Sequence, residues 1–128
     1  MSEDCLTLDI YWPIQASLYP TQLPIMVWIH GGGYTFGEAS YYHGSRLAHR
    51  GMIVVSIQYR LGIFGFLSSW KNGAVGETSG NFGLLDQQLA IQFVKDNALE
   101  IGGDASKITI VGESAGGWSV GMQDRFHI

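Results

Sequence analysis

Two stretches of this chain are apolar almost without a break, Ile25-Met26-Val27-Trp28-Ile29 and Met52-Ile53-Val54-Val55-Ser56-Ile57. Such runs suit central strands covered on both faces. Leu6-Thr7-Leu8-Asp9-Ile10-Tyr11 instead alternates apolar and polar positions before Trp12-Pro13, which predicts a half-buried strand ended by proline. Residues 42–50 can form a short helix between the two apolar runs. From Asn81 to about Asn97 a longer helix is predicted, with Asn81 as N-cap and Phe82, Leu85, Leu89 and Phe93 at helical spacing. It stops near Gly102-Gly103-Asp104, and Ile108-Thr109-Ile110-Val111 then forms a fourth strand. Strands alternating with helices predict an α/β layer architecture with a mostly parallel sheet.

Composition narrows the classes. With 128 residues the chain is one domain at most, spanning 1–128, and 46% hydrophobic against 14% charged residues means that much of it expects burial. A formal charge of -4 and the absence of a Lys/Arg cluster argue against nucleic acid or an acidic membrane surface as partner. Met1-Ser2-Glu3-Asp4 lacks the basic and apolar regions of a signal peptide, and no stretch is long enough for a membrane span, so the chain as it stands reads as cytosolic by default. Cys5 is the single cysteine, which rules out an internal disulfide or a cysteine zinc cluster. Asn72, Asn81 and Asn97 are not glycosylation sequons, and the redox compartment stays open. No cofactor or metal is implied.

Chemistry concentrates at Gly112-Glu113-Ser114-Ala115-Gly116, directly after the fourth strand and before a helix-compatible stretch. A serine hydroxyl is a poor nucleophile unless a sharp turn exposes it near a base and amide donors, and flanking glycines permit that turn. The letters alone prove little, because in a glycine-rich chain of this length roughly 0.2 matches to G-x-S-x-G arise by chance. A second match, Gly117-Trp118-Ser119-Val120-Gly121, has no β-branched run feeding into it and falls inside the helix that the first one opens. Ser114 is therefore the candidate nucleophile rather than Ser119.

His30-Gly31-Gly32-Gly33 follows the first buried run, where bare backbone can approach a ligand. An oxyanion hole is one reading, a plain glycine turn another. A phosphate cradle is weaker, since neither G-x-G-x-x-G nor G-x-x-x-x-G-K-[ST] occurs. His30, ending a buried strand, reads as a hydrogen-bonded core group before it reads as a base.

Five blocks, Glu3-Asp4-Cys5-Leu6, Met26-Val27-Trp28-Ile29-His30-Gly31-Gly32-Gly33, Tyr59-Arg60-Leu61-Gly62-Ile63-Phe64-Gly65-Phe66-Leu67, Gly80-Asn81-Phe82-Gly83-Leu84-Leu85-Asp86-Gln87 and Gly112-Glu113-Ser114-Ala115-Gly116-Gly117, stand in the order found in type-B carboxylesterases. The chain resembles that family, which includes the cholinesterases, as an amino-terminal piece ending just after the nucleophile elbow. The resemblance implies a partial α/β-hydrolase fold, a mostly parallel sheet with flanking helices whose later strands are missing. It further implies Ser114 as nucleophile, the amides of Gly32, Gly33 and Ala115 as oxyanion hole, Glu113 lining the gorge, and Arg60 with Asp86 as a structural ion pair. Glu113 could favour an imidazolium or a cationic substrate, or be an ordinary turn residue. Trp28, Phe64 and Phe66 are core or gorge wall, with core preferred, and Tyr34 and Phe36 border the acyl site.

The chain departs from the family in places. In this fold the acid and the histidine follow the serine, and only Asp124 and His127 do so here. A continuous helix would put His127 roughly 20 Å from Ser114, out of reach. The tail Asp124-Arg125-Phe126-His127-Ile128 fits the family poorly, Cys5 lacks the upstream cysteine with which the family pairs it, and Gln58, Phe93, Ile101 and Ala105 are milder departures. The expected function is hydrolysis of small carboxylic esters through an acyl-enzyme on Ser114, in a truncated chain lacking the triad acid and base and inactive alone. The alternatives are a non-catalytic cholinesterase-like adhesion or binding module and an inactive truncated product. The fourth strand is expected to leave an exposed edge through which the chain self-associates. Family members are often secreted or lumenal.

Overall fold

The computed structural model describes residues 4–14, 22–68 and 80–126. Its four strands are β1 (Leu8–Tyr11), β2 (Leu23–Ile29), β3 (Ile53–Ile57) and β4 (Gly103–Gly112), and its helices α1 (Ser45–Ala48), α2 (Gly62–Phe66), α3 (Phe82–Asp96) and α4 (Ala115–Gln123). The sheet runs β1-β3-β2-β4. β2 lies parallel to both β3 and β4, whereas β1 is antiparallel to β3. The sheet is mixed rather than purely parallel because the alternating amino-terminal strand, suited to an edge, pairs in the opposite sense.

Register explains the core. Val27 lies opposite Val55 on one side and Ile110 on the other, and Ile10 lies opposite Val55. Leu8, Ile10, Ile25, Val27, Ile29, Ile53, Val55, Ile57, Ile108 and Ile110 consequently share one face, which Ile91 and Val94 of α3 cover. A slip of one residue would turn this whole set to the other face. On that other face, Trp28 packs against Tyr42 at 5.1 Å between ring centroids, and the Ser56 hydroxyl donates to Tyr42 O. All five residues of β3 are buried, as a strand covered on both faces requires.

Four sequence expectations change. Asn81 does sit at the N-cap of α3, but with φ 61° and no side-chain capping bond; its carbonyl accepts the N–H groups of Leu84 and Leu85 instead. Leu85, Leu89 and Phe93 lie on the outer side of α3, with Leu89 65% exposed, while Leu84, Asp86, Gln87, Ile91 and Val94 face inward. Phe64, read as core, is 77% exposed; α2, which the hydrophobic pattern did not announce, turns it outward. β4 begins at Gly103, five residues before the apolar run. It pairs with β2 along one side and ends the sheet on the other among the described residues.

Candidate active site

The parallel pairing of β2 with β4 brings the candidate residues together. Ile29 lies opposite Gly112, so the glycine loop after β2 and the turn after β4 leave the carboxyl end of the sheet side by side. A Cβ on Gly31 would stand 2.6 Å from Glu113 O and 3.1 Å from Ser114 Cβ, so only glycine lets the loop lie this close to the serine. Likewise a Cβ on Gly116 would stand 2.1 Å from Ile29 O, which lets α4 start against the end of β2.

Ser114 occupies the turn itself, with φ 54° and ψ -120°, an unfavourable conformation for a residue with a side chain. The turn is held by Gly116 N–H donating to Glu113 O at 2.9 Å and Trp118 N–H donating to Ser114 O at 3.0 Å. Ser114 and Glu113 are exposed. Opposite them, Gly32 and Gly33 have φ of 113° and 59°, and the N–H groups of Thr35 and Phe36 both donate to Gly32 O. Ser119 is buried within α4.

His30 is wholly buried, its ring stacked on Tyr59 at 4.5 Å. Nδ1 donates to Gly31 O at 2.8 Å, so the proton sits there and Nε2 is left as a buried acceptor without a partner. Burial lowers its pKa, partly opposed by the bond to Gly31 and the charge of Glu38. His43 Nδ1 pairs with Ser45 Oγ. Neither ring bond reaches Ser114. His127 and Ile128 lie outside the described residues.

These strands and turns have counterparts in known proteins. The carboxylesterase family profile matches residues 1–124. The chain belongs to the carboxylesterase family. Liver carboxylesterase 1F of Rattus norvegicus is 51% identical over 122 residues, covering 94% of this chain and 21% of that protein. Cocaine esterase of Oryctolagus cuniculus is 52% identical over 121 residues, covering 94% and 22%. A thermophilic PNB esterase superposes with a TM-score of 0.81 at 45% identity, covering 94% of this chain and 24% of that one. The chain thus spans about a fifth of the length of these curated relatives.

Within this member of the family, Arg60 and Asp86 join the loop after β3 to α3. Arg60 Nη2 and Nε donate to the two carboxylate oxygens at 2.6 and 2.7 Å, and Arg60 N–H adds a third bond at 3.1 Å. The Asp86 side chain is only 4% exposed, and the bond to it raises the Arg60 pKa. One feature escaped the sequence reading. Tyr34 Oη donates to Ala115 O at 2.8 Å across 81 residues, a contact that no local spacing signals.

Proposed function

We propose that this chain carries the nucleophile and the oxyanion donors of a serine carboxylesterase acting on small carboxylic esters, within a partial type-B domain over residues 1–128. The observation that carries the reading is the placement of the Gly31 backbone against Ser114 at the carboxyl end of the sheet. Ser114 Oγ adds to the ester carbonyl carbon, and the amides of Gly32, Gly33 and Ala115 stabilise the oxygen that becomes negative; each such donor is worth about 3 kcal/mol. Collapse of the adduct breaks the bond to the leaving alkoxide, which takes up the proton lost by Ser114, and water then hydrolyses the acyl-serine. Glu113 lines the entrance, and Arg60 with Asp86 holds the scaffold.

The proton transfers need a base. Among the described residues no hydrogen bond joins Ser114 to His30, His43 or His49, which favours a base supplied by other polypeptide or by a second chain. Intact-mass analysis after incubation with a fluorophosphonate and imidazole tests this. The chain is expected to gain one phosphonyl group at a rate that rises with imidazole, and Ser114→Ala to gain none. Equal labelling of both, or a folded chain that never labels, would remove the reading. The edge of β4 further supports self-association, and stable capture of a partner unaffected by Ser114→Ala would favour a non-catalytic binding module instead.

A further inference from the structure

Tyr34 immediately follows the glycine run and is one of three non-glycine residues with positive φ among the described residues, at 61°, alongside Asn81 and Ser114. A residue with a Cβ keeps that conformation only when its surroundings hold it there. Three contacts do so. Gly62 N–H donates to Tyr34 O at 2.7 Å, the ring packs against Phe66 at 4.6 Å, and the hydroxyl donates to Ala115 O at 2.8 Å. The same hydroxyl lies 3.2 Å from Ser119 Oγ, and Ser119 is wholly buried. A phenol has one proton, which goes to the carbonyl, so Ser119 is the donor to Tyr34 Oη. The serine of the second G-x-S-x-G match thereby acquires a role, as the outer member of a relay that ends on Ala115.

We infer that Tyr34 is a positioning residue: its hydroxyl, backed by Ser119, sets the distance between the loop bearing the Gly32 and Gly33 amides and the residue bearing the third amide, Ala115. The inference rests on the proposed role of Ser114. Donors on two separate segments, a loop and the first turn of a helix, stabilise one oxyanion only if their separation is fixed before the charge develops. Packing on Phe66 holds the ring but fixes nothing at Ala115. Because the oxyanion exists only after addition, losing the clamp slows the covalent step without weakening prior binding of the reagent.

Phosphonylation kinetics of the chain in imidazole test this. Tyr34→Phe keeps the ring and is expected to lower the maximal labelling rate about tenfold or more, with the concentration for half-maximal rate unchanged. Ser119→Ala is expected to lower it less, and to add nothing in the Tyr34→Phe background. An unchanged maximal rate, a loss confined to half-saturation, or full additivity would overturn the clamp. Should the unmutated chain fail to label, the esterase reading falls while the clamp still faces amide exchange. Tyr34→Phe is then expected to speed exchange at Gly116 and Trp118 about tenfold relative to Val27, and equal exchange would overturn it.

Discussion

Ser114, Tyr34 and Asn81 hold positive φ at three turns, each at a cost of about 1–3 kcal/mol, and two of the three meet at the candidate site through Ala115. His30 adds a further cost there, a buried ring nitrogen without a partner. Because burial lowers its pKa, the folded chain binds a proton at His30 less readily than the unfolded chain, in which the value is near 6.5. The stabilising contribution is therefore present above that pH and lost as pH falls below it. Urea midpoints at pH 7 and pH 5 should fall for the unmutated chain by more than for His30→Gln, which has no proton to gain. Parallel decreases in both proteins would show that His30 does not titrate against folding.

Among the elements, β2 and β3 were legible because an apolar run needs cover on both faces and only a central strand supplies it. α3 was legible in extent and not in orientation. Helical spacing of Phe82, Leu85, Leu89 and Phe93 defines a stripe, yet the buried stripe includes Asp86 and Gln87, polar residues whose partners lie far away in sequence. For the same reason the motifs around Gly31 and Ser114 could be read locally, whereas the bond from Tyr34 to Ala115 could not. The Arg60 and Asp86 pair makes a prediction at this scale. Replacing Arg60 by alanine removes the charge partner of a buried carboxylate and leaves it the Arg60 backbone N–H; that remaining bond and the 38% exposure of the Arg60 side chain moderate the loss. A cycle of Arg60→Ala, Asp86→Asn and the double variant is expected to show coupling of about 1 kcal/mol in urea unfolding, and additive single losses would remove the pair as a tie between the β3 loop and α3.

At the scale of the whole molecule, cover is uneven. α3 packs on one face of the sheet, while β4 keeps Ile108 and Ile110 only half-buried at the end of the strand order. Beside that edge runs a groove of about 390 Å³ lined by Ile91, Ile108 and Ile110, with Lys95 and Asp124 also lining it. Gln123 lines it too, nearly buried and with Oε1 unpaired. An edge of this kind presents unpaired backbone groups to another strand. Two copies related by a twofold axis could pair β4 with β4, each strand satisfying the backbone groups of the other. Sedimentation equilibrium over a wide concentration range is expected to show the mass rising from 14.0 kDa toward twice that value. Thr109→Lys, which adds a charge to an exposed position of β4, should shift the rise to higher concentration. A constant 14.0 kDa throughout would mean that the edge is not a self-association surface.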